Sequence, residues 1–164
     1  MNKLARLIDT MIEYEKGIPH RVEHFLKVYG YAKAIGELEG LPEDMQCILE
    51  AAAIIHEIGI KPSLEETGDS SGKNQERESS SFARKILHNL GFAPEVAGRI
   101  VYLIENRHNS KIVKSLDGQI LLEADTLVNM HEDEAPLSAI KIAYDEMFAT
   151  ATGKKFLKQL FLKG

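Results

Sequence analysis

The sequence lacks the features that mark disulfide-stabilised, membrane-spanning and nucleic-acid-binding proteins. Its one cysteine, Cys47, excludes an internal disulfide and fits a reducing compartment, so we expect a cytoplasmic protein. No apolar run is long enough to span a bilayer, and the first residues read as an amphipathic helix and not as a signal peptide. The formal net charge is −5, and basic residues cluster only at the extreme C-terminus, which argues against a stable nucleic-acid complex.

Strand-like alternation, internal repeats and a second domain are also missing, whereas apolar residues recur at helical spacing between glycine and proline punctuation. We therefore expect an all-α fold, a single-domain bundle of about seven helices that spans residues 1–164. The expected helices are 2–16, 19–39, 43–58, 79–90, 94–106, 115–130 and 136–149. The basic tail from Lys154 is expected to dock as a last helix, although it could instead lie on a membrane or a partner.

A long polar segment interrupts the helical pattern between the third and fourth helices. Residues 61–75 are rich in serine and glycine and have no apolar period. We expect an exposed loop there, either a mobile lid or a disordered connection.

The stretch AAAIIHEIG, residues 51–59, contains the most informative pattern. Its unbroken apolar run predicts a helix end that is buried on nearly all sides, and yet His56 and Glu57 follow directly. A buried carboxylate costs several kcal/mol, roughly, unless it is paired or binds a cation. A metal ion is one solution, and hydrogen bonding within a polar part of the core is the other.

Two further helices each place a residue of a type that binds metal ions among apolar neighbours. His24 shares the inward face of the second helix, and Asp125 lies on the apolar face of the sixth. With His56 and Glu57 they form a set of two imidazoles and two carboxylates. Such a set suits one divalent ion of the group Fe, Mn, Ni, Co and Zn, with open positions for water and substrate.

In order and spacing, these residues resemble a known pattern. His24 in RVEHFLKV, the pair in AAAIIHEIG and Asp125 in ILLEADTLVNM are similar to the H…HD…D motif of the HD-domain metal-dependent phosphohydrolase superfamily. The resemblance covers a core of about 18–130, on which residues 136–162 would pack. It implies an all-helical fold, a divalent metal, and an enzyme that hydrolyses phosphate esters, often of nucleotides, with a metal-activated water.

The chain departs from this motif in two respects. Glu57 stands where the motif has aspartate, with the same charge on a stem one methylene longer. The histidines that many members use for a second metal are incomplete, because NQERESSSFARKIL offers Glu76 and Glu78 but no histidine. His108 follows the fifth helix, and we expect one metal ion.

Phosphate hydrolysis needs positive charge beside the metal. Arg21 lies nearly one turn before His24 and resembles the arginine that some family members direct at phosphate. The catalytic candidates are Arg21, Lys61 and His108, and the substrate-binding candidates are Arg21, Lys61 and Arg107. The alternative for each arginine and lysine is a solvated surface charge.

Two other functions fit the same residues. The first is a nucleotide-binding or regulatory module that resembles HD domains but is catalytically impaired, and the departure at Glu57 favours it. Hydrogen-bonded polar core residues without metal would make a purely structural helical protein. The partner that we expect is a small phosphorylated substrate or nucleotide, with no membrane, and a homodimer stays open.

Overall fold

The computed structural model describes residues 2–58, 72–109 and 114–162, with the backbone alone for residues 72–79. Over these ranges the chain forms eight helices and no strand, so the prediction of an all-α fold is confirmed. The helices are α1 (Lys3–Tyr14), α2 (Pro19–Leu38), α3 (Glu43–Ile55), α4 (Gly72–Asn89), α5 (Pro94–Glu105), α6 (Leu116–Glu132), α7 (Leu137–Glu146) and α8 (Ala151–Phe161). Within the described ranges, none of them is both long and apolar enough to cross a membrane.

Two helices differ from their expected bounds in ways that matter. Helix α4 begins at Gly72 and not near Ser79, so residues 72–75 of the expected loop are helical. The glutamate, glutamine, lysine and arginine residues of this segment are good helix formers, which outweighs its serine and glycine content. The rest of that loop lies outside the described residues. Helix α6 extends to Glu132, about half a turn past its expected end near Met130.

Helices α2, α3 and α6 pack against one another at the centre of the bundle. Residues 51–55 of α3 are fully buried, as their apolar run predicts, because α1, α2, α5 and α6 all contact this helix. Helix α3 ends at Ile55, and His56 to Ile58 form a turn. The Tyr14 hydroxyl of α1 donates a hydrogen bond to the Ile58 carbonyl, 3.0 Å away, and so fixes this turn.

The buried carboxylate of Glu123 ties α6 to the last helix. Its Oε1 accepts a hydrogen bond from the Thr150 hydroxyl at 2.6 Å. Its Oε2 accepts bonds from the backbone N–H groups of Ala149 (2.9 Å) and Thr150 (3.0 Å) and from the Gln119 amide (2.6 Å). These donors replace the water that burial removes, and the carboxylate sits at the N-terminus of α8, where the helix dipole favours negative charge.

Glycine at position 153 makes this contact fit. A Cβ built on Gly153 would lie 1.8 Å from Glu123 Oε1 and 2.8 Å from Thr150 Oγ1. We expect Gly153→Ala to destabilise the protein by about 3 kcal/mol, because the carboxylate must leave its donors to make room. Urea unfolding followed by circular dichroism measures this loss.

Gly98→Ala is the matched control, since Gly98 lies within α5 and a Cβ there would meet nothing within 4 Å. This substitution should stabilise the protein by about 0.5–1 kcal/mol through helix propensity. Equal free energies of unfolding for the two variants would contradict the account of Gly153.

A second buried carboxylate, that of Asp117, lies in the first turn of α6. Its two oxygens accept hydrogen bonds from Arg99 Nε (3.1 Å) and Nη2 (2.9 Å), and the Gly118 N–H also donates at 2.8 Å. Burial raises the pKa of Asp117, but the bonds from Arg99 and Ser115 outweigh burial and lower that pKa below its usual 3.8. Ser115 occupies the N-cap position without a side-chain capping bond, and its hydroxyl accepts a hydrogen bond from Arg99 Nη2 at 2.7 Å.

This pair predicts a pH-dependent loss of stability in Asp117→Asn. The folded-state pKa lies below the unfolded value, so the carboxylate stabilises fully above pH 3.8 and loses this effect as the pH falls towards the folded-state pKa. The variant should lose about 2 kcal/mol near neutral pH and progressively less in strong acid. Urea unfolding across this pH range measures the difference, with the exposed Asp133→Asn as a control that should lose nothing. A loss that stays constant with pH would contradict the assignment.

Candidate metal centre

The structure brings together the four residues that the sequence nominates as metal ligands. His24 comes from α2, His56 and Glu57 from the turn after α3, and Asp125 from α6. One ligand atom from each lies within 4.8 Å of all the others. Both histidines are buried, whereas the carboxylates of Glu57 and Asp125 are 28% and 19% exposed. The nitrogen side of the cluster is therefore closed and the oxygen side is partly open.

The distances within the cluster are short and similar. His24 Nε2 lies 3.3 Å from His56 Nε2, 3.2 Å from Asp125 Oδ1 and 3.4 Å from Glu57 Oε1. His56 Nε2 lies 3.3 Å from Asp125 Oδ1 and 3.9 Å from Glu57 Oε1. Glu57 thus reaches the cluster despite its longer stem.

The outer nitrogens of the two imidazoles determine what the inner nitrogens can do. His56 Nδ1 lies 2.7 Å from the Ala53 carbonyl oxygen, which only accepts, so this nitrogen carries the proton. His24 Nδ1 lies 2.5 Å from a carboxylate oxygen of Glu132, which favours the same tautomer. In the neutral imidazoles, both Nε2 atoms then present lone pairs to each other and to two carboxylate oxygens.

With both imidazoles neutral, such a set of four acceptors fits a cation, which is either a metal ion or a proton on His24. Adjacent ligand atoms around a first-row ion stand about 3 Å apart, given bond lengths near 2.1 Å. The five separations given above, 3.2–3.9 Å, exceed this value by less than 1 Å. Nitrogen and oxygen donors in this ratio suit a borderline divalent metal. The residues present therefore fit the ion, and its identity stays a prediction.

The pKa values reflect the same concentration of acceptors. Burial lowers the pKa of His24, but hydrogen bonding to Asp125 and the nearby carboxylates of Glu57 and Glu132 outweigh burial and raise it to about 9. Burial raises the pKa of Asp125, yet the imidazoles of His24 and His56 beside it hold that pKa well below its usual range. The cluster therefore attracts positive charge strongly.

A pocket of about 470 Å³ opens beside the cluster. Arg21 lies in its wall, one helical turn from His24 as the sequence predicts. The guanidinium is held by Glu15, whose Oε2 lies 3.4 Å from Arg21 Nη1. The lining residues are His20, Arg21, His24, Glu57, Asn129 and Glu132. The pocket thus joins part of the ligand set to one cationic group and several hydrogen-bonding groups.

The other sequence candidates are placed differently. His108 is exposed, and partial desolvation and the Arg107 charge lower its pKa, while Asp125 and Glu57 act in the opposite direction. His108 thus lies within electrostatic reach of the cluster. Arg107 is buried, its Nη1 donates to the Ile104 carbonyl at 2.8 Å, and it is not among the described residues that line the pocket. Lys61 lies outside the described residues, and Glu76 and Glu78 are described only by their helical backbone.

Sequence reasoning missed two residues beside the cluster. Glu132 contacts the outer nitrogen of His24, and Asn129 lines the pocket one turn after Asp125. The available signal was spacing, because residues 125, 129 and 132 fall on one face of a helix.

Comparison with known proteins identifies the family. The family model described as the HD domain matches residues 21–130, more than half of the chain. No curated protein matches the chain. Among solved structures, the chain is similar to the crystal structure of a predicted HD superfamily hydrolase from an uncultured Thermotogales bacterium, with a TM-score of 0.68 and 22% identity over 96% of this chain and 84% of that chain. The last comparison supports the fold, and the family model supports membership: the chain belongs to the HD domain family, whose members are in general metal-dependent hydrolases.

Proposed function

We propose that this protein hydrolyses phosphate esters of a small phosphorylated molecule or nucleotide, with one divalent metal ion. The observation that supports this most is the cluster of four ligand atoms that opens into a pocket containing Arg21. The pocket volume of about 470 Å³ suits a small molecule. A cytoplasmic location is part of the proposal, since the single cysteine suits a reducing compartment.

The ligand set in this proposal is His24, His56, Glu57 and Asp125. An ion held there would supply Lewis acidity and would make water a better nucleophile. The chain's own residues orient the substrate. Arg21 presents its guanidinium to the phosphate, and Glu15 limits the rotamers that Arg21 samples.

The rest of the substrate would meet the polar side of the pocket. The Asn129 amide offers both a donor and an acceptor, and the His20 imidazole offers a third hydrogen-bonding group. Glu57 and Glu132 add negative charge to the same wall, so the phosphate fits best at the Arg21 side. Burial of the two histidines keeps solvent from the nitrogen side of the cluster.

The impaired-module alternative depends on Glu57. Its carboxylate approaches His24 Nε2 to 3.4 Å, a distance similar to that of Asp125, so the longer stem is accommodated by the turn after α3. This contact favours a working ligand set. Nucleotide binding without turnover at any metal would favour the regulatory module instead.

The ligand assignment predicts that His56→Ala and Asp125→Ala each abolish metal binding. Each substitution removes one donor and opens the site, so occupancy should fall from about one ion per chain to nearly none. Elemental analysis after dialysis measures the occupancy, and His88→Ala, an exposed histidine of α4, is the matched control. Full occupancy in both site variants would end the proposal.

The substrate assignment predicts phosphatase activity that chelator removes and that Mn²⁺, Co²⁺, Ni²⁺, Fe²⁺ or Zn²⁺ restores.

Arg21→Lys keeps the charge beside buried Glu15 but loses the planar fork, so KM should rise about tenfold while metal occupancy stays unchanged. Steady-state kinetics on a panel of phosphate monoesters tests this effect. Arg84→Lys, on the exposed side of α4, should leave KM unchanged. An unaltered KM in Arg21→Lys would remove Arg21 from the substrate site.

A further inference from the structure

Glu132 lies at the last position of α6 and contacts the side of the His24 ring that faces away from the cluster. Its Oε1 is 2.5 Å from His24 Nδ1, whereas Asp125 Oδ1 is 3.2 Å from His24 Nε2. Asp125 and Glu132 are seven residues apart, close to two helical turns, so they share one face of α6. A single helix face therefore contacts both nitrogens of an imidazole that comes from another helix.

The main hydrogen-bonding partner of Glu132 is His24. The second carboxylate oxygen of Glu132, Oε2, lies 3.8 Å from Lys27 Nζ, and the Lys27 side chain is 45% exposed, so this ion pair is weak. The His24 side chain is only 7% exposed and comes no closer to any other described carboxylate. The charged acceptor therefore acts mainly on the imidazole.

The second histidine of the cluster is fixed differently. His56 Nδ1 donates to a neutral main-chain carbonyl at 2.7 Å, as part of the turn after α3. His24 has instead a side-chain carboxylate, which is a stronger acceptor and places more electron density on the ring. The two imidazoles are therefore unequal, and a substitution at position 132 removes the Nδ1 acceptor of His24 and leaves that of His56 in place.

We propose that Glu132 is a positioning residue of the metal site. It accepts the hydrogen bond from His24 Nδ1 and holds the ring in its observed orientation. The Nε2 lone pair then stays directed at the point between the four ligand atoms, where an ion would bind. The proposal rests on the proposed function, because it requires that the cluster binds a metal ion. Carboxylates in this role raise metal affinity by about 10–100-fold.

The test is the Zn²⁺ affinity of the full chain, measured by competition with a chromophoric chelator at constant pH and salt. Glu132→Ala should bind Zn²⁺ about 10–100-fold more weakly than the wild type. Glu132→Gln keeps an acceptor oxygen without the charge, and its affinity should fall between the two. Asp133→Ala removes the same charge from the neighbouring, exposed position and should bind as the wild type does.

A second readout separates positioning from a general effect on the fold. In the Zn²⁺-loaded wild type, the His24 Nδ1 proton should exchange slowly with water and give a resolved NMR signal, because it is hydrogen-bonded to Glu132. The signal should persist in Glu132→Gln and disappear in Glu132→Ala, whereas the signal from His56 Nδ1 should persist in both. A correctly folded Glu132→Ala protein with unaltered His56 signal shows that the ring of His24 is affected selectively.

The outcomes distinguish the two proposals. A wild type that binds no Zn²⁺ in this assay overturns the proposed function and the role of Glu132 with it. A wild type that binds Zn²⁺ tightly, together with a Glu132→Ala variant of equal affinity, overturns the role of Glu132 alone. Equal weakening in Asp133→Ala would also overturn it, because the effect would then be one of net charge.

Discussion

The site depends on one constraint: four acceptor atoms lie within 4.8 Å of one another where α2, α6 and the turn after α3 meet. Repulsion among them is screened less in such surroundings than in water, so positive charge has to be supplied there. The free energy that keeps them together comes from elsewhere, namely from the buried faces of α2, α3 and α6. A strongly raised pKa at His24 is the signature of the same constraint.

Much of this arrangement could be predicted from the sequence, because helical periodicity orients side chains before any packing is known. The apolar residues around His24 and Asp125 indicated which way these residues face, and the run before His56 indicated a buried helix end. The structure brings the three segments together as expected. Arg21 followed from the same periodicity, since it lies about one turn from His24 and lines the same pocket.

The parts that could not be predicted depend on tertiary contacts or on helix ends. Glu132 lies in a last half-turn that the apolar pattern did not include, and a carboxylate there normally faces solvent. Three of the four donors to Glu123 belong to Ala149 and Thr150, 26 and 27 residues away before α8, and no periodicity reveals them. Helix α4 began earlier than expected because polar helix formers give no apolar signal.

The hydrogen bond from Tyr14 to Ile58 and the buried contact between Glu123 and Thr150 both cross the limits of the family match at residues 21–130. The family match thus covers less of the chain than the set of helices that hold the site in place. The helices on either side of the match, α1 and α8, thus help to hold the turn that carries His56 and Glu57 and the helix that carries Asp125. A stretch cut to the limits of the family match would keep all four candidate ligands and would lose both of these contacts.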